Sequence, residues 1–122
     1  MSPSDTPTGA AEAAISEEML RIHRDSYGHG AGRVRTHIID GLVISVLDDV
    51  ELAPSERVLI EAGREELVIE VRKNFQQSMQ ATFTSAVERA TGRSVTAFMS
   101  EIHLNPHFMV ELFRLDGGDG TA

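Results

Sequence analysis

The dipeptide Asp40-Gly41, set between two β-branched and aliphatic runs at residues 34–39 and 42–47, constrains the fold of this chain more than any other feature. Asp and Gly tolerate the positive φ that both central positions of a type I′ turn require, so the pattern predicts a β-hairpin. A second pair of runs, residues 94–104 and 108–115, brackets Asn105-Pro106. Proline lacks the N–H that a continuing strand would use, and the pair reads as a turn.

The remaining segments carry the period of helices. In residues 11–27, Ile15, Met19, Leu20 and Ile22 recur at helical spacing with Glu17 and Glu18 between them, and the stretch from Gly28 to Gly32 ends the pattern. Pro54, with Ser55 and Glu56 beside it, marks a second helix start, because the first turn of a helix leaves its N–H groups unpaired anyway. Beyond it Leu67 or Val68, Val71, Phe75, Met79, Phe83, Val87 and Ala90 form one apolar stripe that stops at Thr91-Gly92, with Gly63 expected to bend or break the region near its start. The order is α-ββ-α-ββ, an α+β fold with a four-stranded antiparallel or mixed sheet and a long helix packed on one face. One domain is expected over residues 10–115, with mobile tails at 1–9 and 116–122.

A helix over residues 64–90 would be about 40 Å long, whereas six- or seven-residue strands span about 20 Å. Its far half needs cover from the first helix, from a bend or from a second copy. A homodimer built on Val71, Phe75, Met79, Phe83 and Val87 is the expectation, since symmetric dimers are the commonest oligomers.

Charge and composition narrow the function classes. A formal net charge of −8 over 122 residues lacks the cationic footprint of a nucleic-acid binder. With no cysteine there is no disulfide framework, thiol nucleophile or thiolate metal site, which fits a reducing compartment. The N-terminus lacks the basic start and apolar stretch of a secretion signal, and the longest apolar run falls far short of a bilayer span, so a cytoplasmic protein that does not insert into the membrane is expected.

Few constellations point to chemistry. His37, His103 and His107, with Glu101 nearby, sit on or beside the two hairpins, and neighbouring hairpins would allow a two-His-plus-carboxylate metal site; the alternative is histidines that titrate without a ligand. Gly28, Gly30 and Gly32 lead to Arg33 and Arg35, but they precede a strand and no GK[ST] follows, so they form a connector or a loose anion-binding nest, not a phosphate loop. Glu61, Glu65, Glu66 and Glu70 read as a solvated helix face paired with Arg64, Arg72 or Lys73. No G-x-S-x-G elbow surrounds Ser45, Ser78 or Ser100. No catalytic residue and no cofactor is expected.

The ordered segments resemble the MpsC-type domain family, named for a Na+-translocating membrane-potential-generating system. The resemblance is carried by Tyr27-Gly28-His29-Gly30 running into residues 34–39, by Leu52-Ala53-Pro54-Ser55-Glu56, by Thr91-Gly92-Arg93, and by Ser100-Glu101-Ile102-His103-Leu104-Asn105-Pro106. It covers about residues 15–115. Ala53 departs from the Thr that relatives carry before the helix proline, which weakens the capping box with Glu56. The resemblance implies a non-enzymatic accessory or regulatory partner of membrane cation or bicarbonate transport systems, with Arg33, Arg35 and the glycine stretch as a docking edge. A histidine-based ligand or metal sensor is the alternative.

Overall fold

A computed structural model describes residues 6–117; of the tails expected at 1–9 and 116–122, residues 1–5 and 118–122 lie outside the described residues. The elements run α1 (Pro7–Ile22), β1 (Ala31–Ile39), β2 (Leu42–Val50), α2 (Pro54–Glu61), α3 (Glu65–Ser78), α4 (Gln80–Thr91), β3 (Val95–Leu104) and β4 (His107–Leu115). Helix α1 begins ahead of the boundary expected at residue 10. Thr6 caps it, its Oγ1 accepting from the Gly9 N–H at 2.8 Å, and Pro7 occupies the first turn. Thr6→Ala is expected to cost about 1 kcal/mol in urea unfolding, in the usual range for a lost hydroxyl cap. Past Ile22 the chain continues as a π-helical turn, His23–Tyr27, which Gly28 closes at φ 88°.

Asp40 at φ 49° and Gly41 at φ 77° form the hairpin turn between β1 and β2, as the sequence predicts. The turn between β3 and β4 holds a cis Asn105–Pro106 peptide. All strand pairs are antiparallel, in the order β1-β2-β4-β3, so each hairpin contributes one central and one edge strand.

The single long helix expected over residues 64–90 does not form. Gly63 at φ 77° separates α2 from α3, and a second break at Met79 (φ −97°, ψ 7°) separates α3 from α4. A straight rod of that length would leave its far half uncovered; the break lets α4 pack along α1 and against β3 instead. Phe83 and Val87 are fully buried there with Ile15, Met19 and Ile22 of α1, and Phe75 and Met79 pack against the same cluster. Cover for Phe75, Met79, Phe83 and Val87 thus comes from within the chain, and the argument for a dimer through the far half of this helix falls away. The phase of α3 also differs from expectation: Val68, Arg72 and Gln76 face inward, while Val71 is 56% exposed.

The inner face of the sheet carries three rows of side chains set by the strand register. Ile38, Val43, Phe113 and Phe98 form one apolar row, and Val34, Leu47, Met109 and Ile102 another. Between them runs a polar row of Thr36, Ser45, Glu111 and Ser100.

Candidate functional site

The helices cover only the inner face, and the outer face of the sheet is open. Register places four rows of side chains on it. From the hairpin-turn end of β1 they read Ile39, Leu42, Arg114, Ala97; then His37, Ile44, Leu112, Met99; then Arg35, Val46, Val110, Glu101; then Arg33, Asp48, Phe108, His103. The middle of this platform is aliphatic, with Ile44, Val46, Val110 and Leu112 half-buried, and on its edge strands Met99 is 60% and Ile39 54% exposed. Strands with one covered face ordinarily alternate apolar with polar residues. Here both central strands are apolar on both faces, which marks the outer face as a surface for association. Charged and titratable groups border it, with Arg33, Arg35 and His37 on the β1 edge, Glu101 and His103 on the β3 edge, and Asp48 and Arg114 at the ends of the central strands.

The histidines that neighbouring hairpins would have allowed to converge stand apart. His37 and His103 lie on opposite edge strands and two rows apart, roughly 20 Å at ordinary sheet spacings. His103 stays on the outer face beside Phe108, their rings 5.6 Å apart, while His107 pairs with Leu104 on the inner side. Among the described residues, no group of three His, Cys, Asp or Glu side chains is placed to hold a metal ion. The separation opposes the sensor alternative. His107 instead lines a cleft of about 690 Å³ with His29, Arg57, Asp49, Glu51 and Glu61, a mixture of signs that selects no single ligand charge.

The glycine stretch is not an anion nest open to a ligand. The Gly30 N–H already donates to the Glu51 carboxylate at 2.7 Å, and the Gly28 N–H to the carbonyls of His23 and Arg24. A Cβ on Gly30 would lie 2.9 Å from Leu20 Cδ1, so this glycine serves the close approach of β1 to α1. Gly32 packs on Asp49 in the same way. Arg35 bonds to Asp48 at 2.8 Å on the outer face, where Arg33 is also exposed.

Two buried polar groups were not expected. Over the polar row sits His23, whose Nδ1–H donates to the Met19 carbonyl at 2.7 Å while Nε2 accepts from the Gln76 amide at 2.9 Å, the arrangement of a neutral imidazole. Burial holds its pKa below the ordinary histidine value. Glu111 lies 3.6 Å away and is fully buried, and burial pushes its pKa up to about 8 against the smaller opposing effect of the Ser100 hydroxyl paired across from it. A carboxyl in that setting is protonated at neutral pH, so the pair is uncharged. Along the same row Ser16, Thr36 and Ser45 form a chain of hydroxyl hydrogen bonds at 2.8 and 2.9 Å.

The second group is a clamp. Arg72 makes a two-pronged ion pair with Glu56 at 2.7 and 2.8 Å and donates to the Glu51 carbonyl at 2.7 Å. Glu56 also accepts from the Tyr27 hydroxyl at 2.9 Å and from the Ala53 N–H at 2.8 Å, the half of a capping box that survives without a side-chain cap at Ala53. Burial works to raise the Glu56 pKa, but Arg72, Ala53 and Tyr27 outweigh it and hold the group below the usual carboxylate range. Arg72 is thus not part of the solvated face; Lys73, beside it, reaches Glu101 at 3.2 Å. The signals for both groups were present: Thr36, Ser45 and Glu111 sit at inward positions of alternating strands, and Arg72 lies four residues after Val68.

A four-stranded antiparallel sheet with helices on one side and a charge-bordered apolar platform on the other defines an open-faced α+β protein. The chain belongs to the MpsC family: the family model described as "Na+-translocating membrane potential-generating system (MpsC)" matches residues 8–117. Searches of curated proteins and of solved structures returned no match. Among the described residues no helix is long and apolar enough to cross a membrane.

Proposed function

We propose that this protein is a non-enzymatic accessory or regulatory component of a membrane cation-transport system, working by association on the cytoplasmic side. The observation that supports this is the open sheet face. Solvent meets Ile44, Val46, Val110 and Leu112 in adjoining pairs at the centre of a small domain, and apolar surface in one patch is the mark of a contact made with another polypeptide. The family description supplies the setting, a Na+-translocating system that generates membrane potential.

Capture from native-host membranes with the tagged full chain tests the proposal. Subunits of a cation-transport complex should be enriched over a control bait of similar size and acidity. Recovery of none of them in the native host would overturn it.

A further inference from the structure

The open face has a preferred occupant, and the charges at its two edges identify it. Arg35 and Glu101 stand in the same cross-strand row, at opposite edges, with Val46 and Val110 between them. Three strand spacings separate them, about 14 Å. Consider a second copy laid face to face, related by a two-fold axis that runs along the strands between β2 and β4. Each β1 then lies over the partner's β3, and within that row Arg35 of each chain falls over Glu101 of the other. Val46 falls over Val110, and in the next row Ile44 over Leu112. A two-fold axis across the strands would instead set the basic β1 edges, with Arg35 and His37, against each other.

We propose that the outer face of the sheet is the interface of a symmetric homodimer, two sheets packed face to face with reciprocal Arg35–Glu101 pairs at the rim. The inference rests on reading this face as an association surface and assigns that surface to a second copy, so that a transport subunit would meet the dimer elsewhere or compete for the face. Its extent suits the purpose. Four strands about 4.8 Å apart and four rows about 6.8 Å apart make a platform of roughly 500 Å² before side-chain relief is counted. That approaches the roughly 800 Å² of accessible surface that each partner of a standard interface covers. Aligned sheets some 10 Å apart let the aliphatic side chains of the two faces interdigitate, as in a β-sandwich. Within one chain Arg35 is paired with Asp48 and Glu101 with Lys73, but both pairs are exposed at the rim and leave donors and acceptors free to turn to a partner. The same pairing occupies the whole face at once, which a small ligand could not do.

Light scattering on the purified full chain reads the outcome directly. Wild type at about 100 µM should show twice the 13.3 kDa of one chain. Val46→Asp should return the single-chain mass with an unchanged far-ultraviolet circular dichroism spectrum. Arg35→Glu and Glu101→Arg, which lie at the exposed rim and leave the core untouched, should each weaken association about tenfold or more. Combining the two reversals should restore it to within a few-fold of wild type. A single-chain mass for wild type would overturn the dimer while leaving the capture of transport subunits to be judged by its own experiment. A doubly reversed variant that associates no better than either single one would also overturn it.

Discussion

Glu111→Gln will make the protein more stable at pH 8, by about 3 to 5 kcal/mol, and will flatten the fall in stability that the parent shows as the solution turns alkaline. The Glu111 carboxyl titrates near 8 in the folded chain against an ordinary 4.5, because burial disfavours its charged form and the Ser100 hydroxyl beside it offsets only part of that cost. A folded-state pKa raised above the unfolded one gives stability that is complete below pH 4.5, declines as pH rises, and is gone above about 8. The decline amounts to about 5 kcal/mol at most. His23 slopes the other way: burial lowers its pKa from 6.5, with the Arg72 charge adding to the effect, so its contribution is complete above 6.5 and lost as pH falls. The parent should therefore be most stable in mildly acidic solution and lose stability from pH 6.5 to 8. Glutamine keeps the shape and never ionises. Urea unfolding of both proteins at half-unit steps from pH 5 to 9 measures the two curves, and parallel curves would show that Glu111 is not a buried neutral acid.

Arg72→Met should have an effect of similar size and opposite sign. It leaves Glu56 buried without its ion pair and the Glu51 carbonyl without a donor, and it removes the guanidinium stacked 4.6 Å from the Tyr27 ring. Breaking a buried pair from one side costs about 3 to 5 kcal/mol, since the remaining charge stays desolvated. Adding Glu56→Gln removes that charge, so the double variant should recover part of the loss despite carrying one more substitution. The pH dependence offers a second reading. In the parent, Glu56 is held low and stabilises above pH 4.5, a contribution lost as pH falls; in Arg72→Met only Ala53 and Tyr27 still oppose its burial, and less stability is lost to acid. A loss under 1 kcal/mol for Arg72→Met would show that solvent reaches this clamp.

The two groups behind these predictions were the hardest to see in the sequence. Thr36, Ser45, Glu111 and Ser100 lie on four strands, and each by itself is an ordinary polar residue in a β run. Only the register puts them in one row beneath His23. The candidate interface was legible in part. Both-sided apolar character is present in residues 42–47 and 108–115, yet which neighbours those side chains share depends on the pairing of β2 with β4, whose partners lie 60 to 72 positions apart in the chain. That His37 and His103 do not converge has the same cause: order β1-β2-β4-β3 puts their strands at opposite edges.

By itself the sequence determined what a few neighbouring residues can enforce. Asp40-Gly41 dictates the first hairpin, Pro54 starts α2, Gly63 and Gly92 close helices at positive φ, and the lack of Cys and the net charge of −8 bound the chemistry. Tertiary structure decided the break at Met79, the inward turn of Arg72, the burial of Glu111 and the openness of the outer face. Turns and caps are governed by sterics and hydrogen bonds within one or two turns of chain. Burial depends on which distant elements meet, and a helix that could run straight will bend when a bend lets Phe83 and Val87 leave water.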